Sequence, residues 1–150
     1  MRIQIVELHA ATRSSHLNDE WFVVENQGDK PFSTAGCTLA VGRGPQTTQS
    51  SKAIKLRQIG QIDPGFTLAP NERIRVITGN PAKKAHGTPP DPGGVTNYHL
   101  FLAAPLLSGP GSVLALSLRQ LEIARVTFDP KIETGVASHT NGQSESPRAP

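Results

Sequence analysis

The sequence predicts an all-β fold, two packed layers of about seven to nine short strands joined by long loops. Three observations carry this expectation. Among 150 residues there are 14 Gly and 13 Pro, and that density of turn formers favours many short elements over a few long helices. Several segments alternate apolar and polar residues with the period of two of a half-buried strand. Between them the chain lacks the helical crossovers that a parallel α/β sheet needs, and no repeat of fixed period is present.

The elements follow in order. Arg2 to Leu8 (RIQIVEL) starts with a period of two, then sets Ile5 beside Val6, as a bulge or a change of face would. After a polar stretch, Glu20 to Asn26 (EWFVVEN) supplies aromatic and β-branched residues, with Phe22 and Val24 on one face and Trp21 and Val23 on the other. Gln27 to Pro31 is dense in turn formers, so the chain reverses there. Gly36 to Val41 is a third strand, and Gly42 to Ser51 reads as an exposed loop. Ile54 to Ile62 alternates in part, with Ile54, Leu56 and Ile59 inward, before the Asp63-Pro64-Gly65 turn. Glu72 to Thr78 (ERIRVIT) is the cleanest strand, Ile74 and Val76 on one face and Arg73 and Arg75 on the other, towards water.

Asn80 to Asn97 contains four prolines and three glycines and reads as a long irregular loop. Tyr98 to Leu102 and Ser112 to Leu118 are apolar enough for buried strands, although the run LFLAAPLL also fits a short helix stopped by Pro105. Leu121 to Phe128 closes the sheet with Leu121, Ile123 and Val126 inward. Beyond Asp129 the composition turns to Ser, Thr, Asn, Gly and Pro. The domain is therefore expected over residues 1–130, followed by a flexible tail at 131–150.

Cys37 is the sole cysteine, which rules out an internal disulfide and a cysteine-based zinc cluster. The opening residues lack the continuous apolar core of a secretory signal, and no run is long enough to span a bilayer. The chain as given reads as soluble and cytoplasmic. Its formal charge of +3 is unevenly placed: residues 43–84 carry a net +6, the rest −3. Arg43, Lys52, Lys55, Arg57, Arg73, Arg75, Lys83 and Lys84 are thus the candidate binding residues, either as a contact surface for an anionic partner or as a solvated face.

No recognised catalytic frame is present. The sequence has no G-x-S-x-G, and Cys37 lies within a predicted strand, where nothing lowers its pKa. His9, His16, His86, His99 and His139 are scattered without metal-ligand spacing; His86 and Asp91 share one loop but make only two ligands. Gly42-Arg43-Gly44 lacks the third glycine and following helix of a dinucleotide site. The basic stretch contains one aromatic residue, Phe66, so base stacking on aromatic platforms is disfavoured while electrostatic binding of nucleic acid stays open. No catalytic residue, metal site or small-molecule cofactor is expected.

Taken in order, DEWFVVENQGDKPFSTAGCTLAVG, FTLAPNERIRVITG and GSVLALSLRQLEIARVTFDP resemble the lamin tail domain family, in particular its prokaryotic members. The resembling positions are Glu20, Trp21 and Asn26; Gly36, Cys37 and Leu39; Leu68, Ala69, Pro70 and Asn71; Thr78 and Gly79; and Arg125, Val126 and Phe128, spanning roughly residues 1–129. Cys37 stands where that family often has Trp, so that Trp21 or Phe32 would have to fill the space, and Asn71 replaces a turn Gly, a mild change because Asn tolerates the left-handed conformation. The resemblance implies an immunoglobulin-like β-sandwich that serves as a binding or tethering module, and it carries over no catalytic residues; the candidate partner is another protein or a second copy of the chain. The expected role is therefore a non-enzymatic interaction module. Sequence-nonspecific binding of nucleic acid or another polyanion through the basic stretch is the alternative.

Overall fold

The computed structural model describes residues 2–11, 13, 15–43 and 55–140. Its strands are β1 (Ile3–His9), β2 (Trp21–Asn26), β3 (Phe32–Ser33), β4 (Thr38–Arg43), β5 (Arg57–Gln61), β6 (Thr67–Leu68), β7 (Arg73–Ile77), β8 (Thr96–His99), β9 (Ser112–Leu118), β10 (Leu121–Phe128) and β11 (Val136–Thr140). They form a four-stranded sheet in the order β1-β2-β7-β8, a five-stranded sheet in the order β11-β10-β9-β4-β5, and a ribbon of β3 with β6. All pairs are antiparallel except β7 with β8.

Alternation decides which faces meet. In β2 and β7, Phe22 pairs with Val76 and Val24 with Ile74, and all four are buried in one cluster with Ile3 and Ile5 of β1. The five-stranded sheet contributes Leu39, Val41, Leu114, Leu116 and Val126 to the same cluster. The protein is thus mostly β, with two sheets packed on a shared core. Each fully buried Leu, Ile, Val or Phe contributes about 1.5–3 kcal/mol of transfer free energy against the chain entropy lost.

The side-by-side Ile5 and Val6 do mark a bulge: the register with β2 shifts between Ile5 and Glu7. The turn after β2 is organised by buried Asn26, whose side-chain amide donates to the carbonyls of Lys30 (2.8 Å) and Leu68 (3.0 Å), and whose Oδ1 accepts the N–H of Gly28 (2.9 Å). One side chain thereby fixes the reversal and ties it to the β3–β6 ribbon. Asn71 adopts φ 68°, the left-handed conformation that Asn tolerates at little cost.

Four expectations need correction. Leu121 is 56 % exposed because it sits at the hairpin end of β10, and a register shift between Glu122 and Ala124 puts Ile123 inside. In the Ile54–Ile62 segment the fully buried residue is Ile62, Leu56 and Ile59 are half-buried, and Ile54 lies outside the described residues. Apart from the 3-10 turn at Lys84–His86, the long loop also holds the start of β8, which lies parallel to β7. The LFLAAPLL run forms no helix, since its backbone amides bond elsewhere.

The domain also runs past residue 130. β11 pairs with β10, the Leu8 N–H donates to the Thr134 carbonyl at 2.8 Å, and Val136 packs on the core. Gly135 sits so close beneath the Leu8 carbonyl, at φ 80°, that a side chain there would strike it. The predicted tail is therefore structured to residue 140, and 141–150 lie outside the described residues.

Candidate binding groove

β5 is the outermost strand of the five-stranded sheet and pairs, among the described strands, with β4 alone. Its residues Arg57, Gln58 and Gln61 are exposed. Opposite β4 the register runs Ala40 to Gln58 and then Leu39 to Gly60, leaving Ile59 as a bulged residue. A bulge on an edge strand turns side chains out of the ladder, and Ile59 accordingly lines a groove of about 670 Å³ with Lys55, Arg57, Leu102 and Pro105.

The far wall of the groove is residues 102–108, a segment with no regular structure that is pinned to the four-stranded sheet. Leu100, Phe101 and Leu102 donate their N–H groups to the carbonyls of Ile77, Gly79 and Thr78 at 2.8, 3.3 and 2.9 Å. Glu20, 1 % exposed at the start of β2, then holds the segment from inside. Its carboxylate accepts the N–H groups of Leu106 (2.6 Å) and Leu107 (3.0 Å) and the Thr78 hydroxyl (2.7 Å). Burial nevertheless pushes the Glu20 carboxyl above its ordinary value, because removing the charge from water outweighs three hydrogen bonds. One wall thus belongs to each sheet, and a single buried acid sets their relation.

Of the eight basic residues predicted as a site, those described are carried by different elements. Lys55 and Arg57 flank the groove. Arg73 and Arg75 sit on the outer face of the other sheet and are occupied there. Arg73 bonds Glu25 through Nε at 3.0 Å and approaches Glu7 at 3.8 Å. The guanidinium of Arg75 lies 5.0 Å from the centre of the Trp21 ring and donates to Asn97 Oδ1 at 2.8 Å. On its other neighbouring strand Trp21 stacks on His9, centroids 4.9 Å apart and planes 5° from parallel. Both arginines lie on the outer face, as the alternation of Glu72 to Thr78 predicts, and pairing and stacking hold them along the sheet. Lys83 and Lys84 are exposed at the 3-10 turn, and the Arg43 side chain and Lys52 lie outside the described residues.

The residues weighed for chemistry have structural roles. Cys37 is wholly buried, and burial pushes its thiol up to about 11, which removes the thiolate a nucleophile needs. His86 accepts the Asn80 N–H on Nδ1 at 3.0 Å, His99 Nδ1 lies 3.2 Å from the Gly79 carbonyl, and the Asp91 carbonyl accepts from Arg75. Among the described residues no group of three or more His, Cys, Asp or Glu is placed to hold a metal. Also among them, no helix is long and apolar enough to cross a membrane.

Sequence reasoning missed Glu20 as a clasp and the 102–108 wall, because both depend on a contact 86 positions long. The only local signal is an acid immediately before an apolar strand. No family model matches the chain, and no curated protein matches it.

Proposed function

We propose that this chain is a non-enzymatic protein-interaction module of the lamin-tail type, an immunoglobulin-like sandwich that presents one edge to a partner. The order of the Trp21, Asn26, Asn71 and Thr78-Gly79 motifs supports the family, and a four-stranded sheet on a five-stranded one suits the fold. The observation that carries the function is the outer edge of β5, which no described strand pairs, beside a groove of about 670 Å³ with Leu102 and Pro105 in its far wall. That volume is within the usual range for binding sites, and a free strand edge offers main-chain hydrogen bonds to any extended segment.

Polyanion binding has less behind it. Counterion release needs a contiguous set of unneutralised cations, whereas Arg73 is neutralised by Glu25 and Glu7 and lies on the other sheet from Arg57.

Display selection of random peptides against the chain tests the reading. Ala104, exposed on the groove wall, is replaced by Trp in the counter-screen to fill the groove. Binders that lose affinity for Ala104→Trp are expected. Their absence, together with tight, steeply salt-dependent binding of generic duplex DNA, would transfer the function to the polyanion reading.

A further inference from the structure

We infer that the groove beside β5 takes an extended, acidic segment of a different protein, added to the five-stranded sheet as a further strand. This rests on the interaction-module reading above and specifies the partner's chemistry.

Three features choose the occupant. First, the site is made for extended backbone: β5 is an edge strand five residues long, matching a partner segment of about five residues at roughly 3.3 Å each. Second, the charges along it have one sign. Lys55 and Arg57 line the groove, no Asp or Glu is among its described lining residues, and neither cation has an ion pair with a described residue. Lys55, two residues before the start of β5, and Arg57 flank the same groove, where acidic side chains two positions apart on the groove-facing side of an added strand would meet them. Third, Ile59, Leu102 and Pro105 line the same groove, so an apolar residue two positions beyond the acids, on the same face of the added strand, has a surface to cover.

The same features argue against a second copy of this chain as occupant. Its own residues 55–61 (KLRQIGQ) carry two cations and no carboxylate, so edge-to-edge pairing would crowd positive charge. Lysine and arginine on an exposed edge commonly oppose self-pairing in this way, and that opposition selects a partner of the other sign.

The probe is a fluorescein-labelled Glu-Val octapeptide (Thr-Glu-Thr-Glu-Thr-Val-Thr-Val), whose Glu and Val side chains share one strand face, titrated into the full chain and followed by anisotropy. The controls are a Lys-Val octapeptide, octaglutamate and a Glu-Val peptide N-methylated at alternate amides. Saturable binding of the Glu-Val peptide is expected, weakened about tenfold by Arg57→Glu and by Lys55→Glu and abolished by N-methylation. Both substitutions are at exposed positions, and unchanged thermal unfolding of each variant confirms the fold. Equal binding of octaglutamate overturns strand addition in favour of generic anion attraction. Failure of the Glu-Val peptide, while display selection still returns neutral or basic peptides sensitive to Ala104→Trp, overturns the acidic partner and leaves the interaction module standing. If no peptide is sensitive to Ala104→Trp, both readings fall.

Discussion

The Glu20 carboxylate accepts the Leu106 N–H at 2.6 Å, joining the first residues of β2 to the wall of the groove across 86 positions of sequence. Glu20→Gln keeps the acceptor that serves Leu106 and Thr78 but turns an amide donor towards the Leu107 N–H, which bonds the second carboxylate oxygen. Leaving a buried donor unpaired costs about 1–3 kcal/mol, so denaturant unfolding should show a loss of that size. Glu20→Ala should cost more.

The same residue gives stability a pH signature. Burial raises its folded pKa above the ordinary 4.5, so between that value and the folded pKa the native state holds more proton than the unfolded chain. Stability from this group is present below 4.5 and is lost as pH rises through the folded pKa. Unfolding midpoints of the wild type and Glu20→Gln, measured in steps upward from pH 4, should therefore converge. A gap that widens with rising pH would contradict the assignment.

Glu25 behaves in the opposite sense. Its partial burial alone would push the carboxyl up, but hydrogen bonds from Gln27 and Arg73 and the charge of Arg73 hold it below the usual value. This contribution is present above the unfolded pKa and is lost as pH falls through the folded one. Arg73→Gln should destabilise at neutral pH by about 0.2–1 kcal/mol, the range for an exposed pair, and the difference should vanish once the pH has fallen through the folded pKa of Glu25, which lies below 4.5. High salt should shrink it as well.

Where the fold was legible in the sequence, burial on one face had written a period of two into it. β2 and β7 show this most plainly, with Phe22, Val24, Ile74 and Val76 inside. β9 was legible for a different reason, since Val113, Leu114, Ala115 and Leu116 are all buried and read as one apolar run. The strands missed are those that tertiary pairing alone creates. β3 and β6 have two residues each, too few for any period, whereas β8 was legible in part: Tyr98 and His99 fall in the strand expected over Tyr98 to Leu102, and Thr96 and Asn97 join it from a loop rich in Pro and Gly beside β7. The groove was half legible: the basic stretch named Lys55 and Arg57, but closeness in sequence also grouped them with Arg73 and Arg75, which the chain carries to the other sheet.

β11 was the largest omission, and it makes a direct prediction. VASHT is polar enough to pass for a tail, yet Val136 covers part of the core and Gly135 lies against Leu8. A chain ending at Pro130 uncovers the edge of β10 and the side of Leu8 and Phe128, which should remove about 2–4 kcal/mol on the scale of one or two core side chains. Gly135→Ala should approach the shorter chain in stability, because the added methyl meets the Leu8 carbonyl and φ 80° is strained for alanine.

Cys37 offers a test of the proposed lamin-tail resemblance, since members of that family often have a Trp at the position it would match. Trp21 does not supply the missing ring, since it lies on the outer face against His9. Phe32 packs against the cluster, with Ile62 and Leu68 fully buried in the same core. Forcing a Trp into a filled site displaces such neighbours, and Cys37→Trp should cost about 1–3 kcal/mol or more by overpacking. Cys37→Ala should be tolerated better, because Cys behaves as a small apolar residue when buried. The wild-type thiol gives an independent readout: with its pKa pushed up to about 11, it should react with a disulfide reagent at neutral pH only as fast as the chain opens. Rapid labelling of the folded protein would show that Cys37 is reached without unfolding.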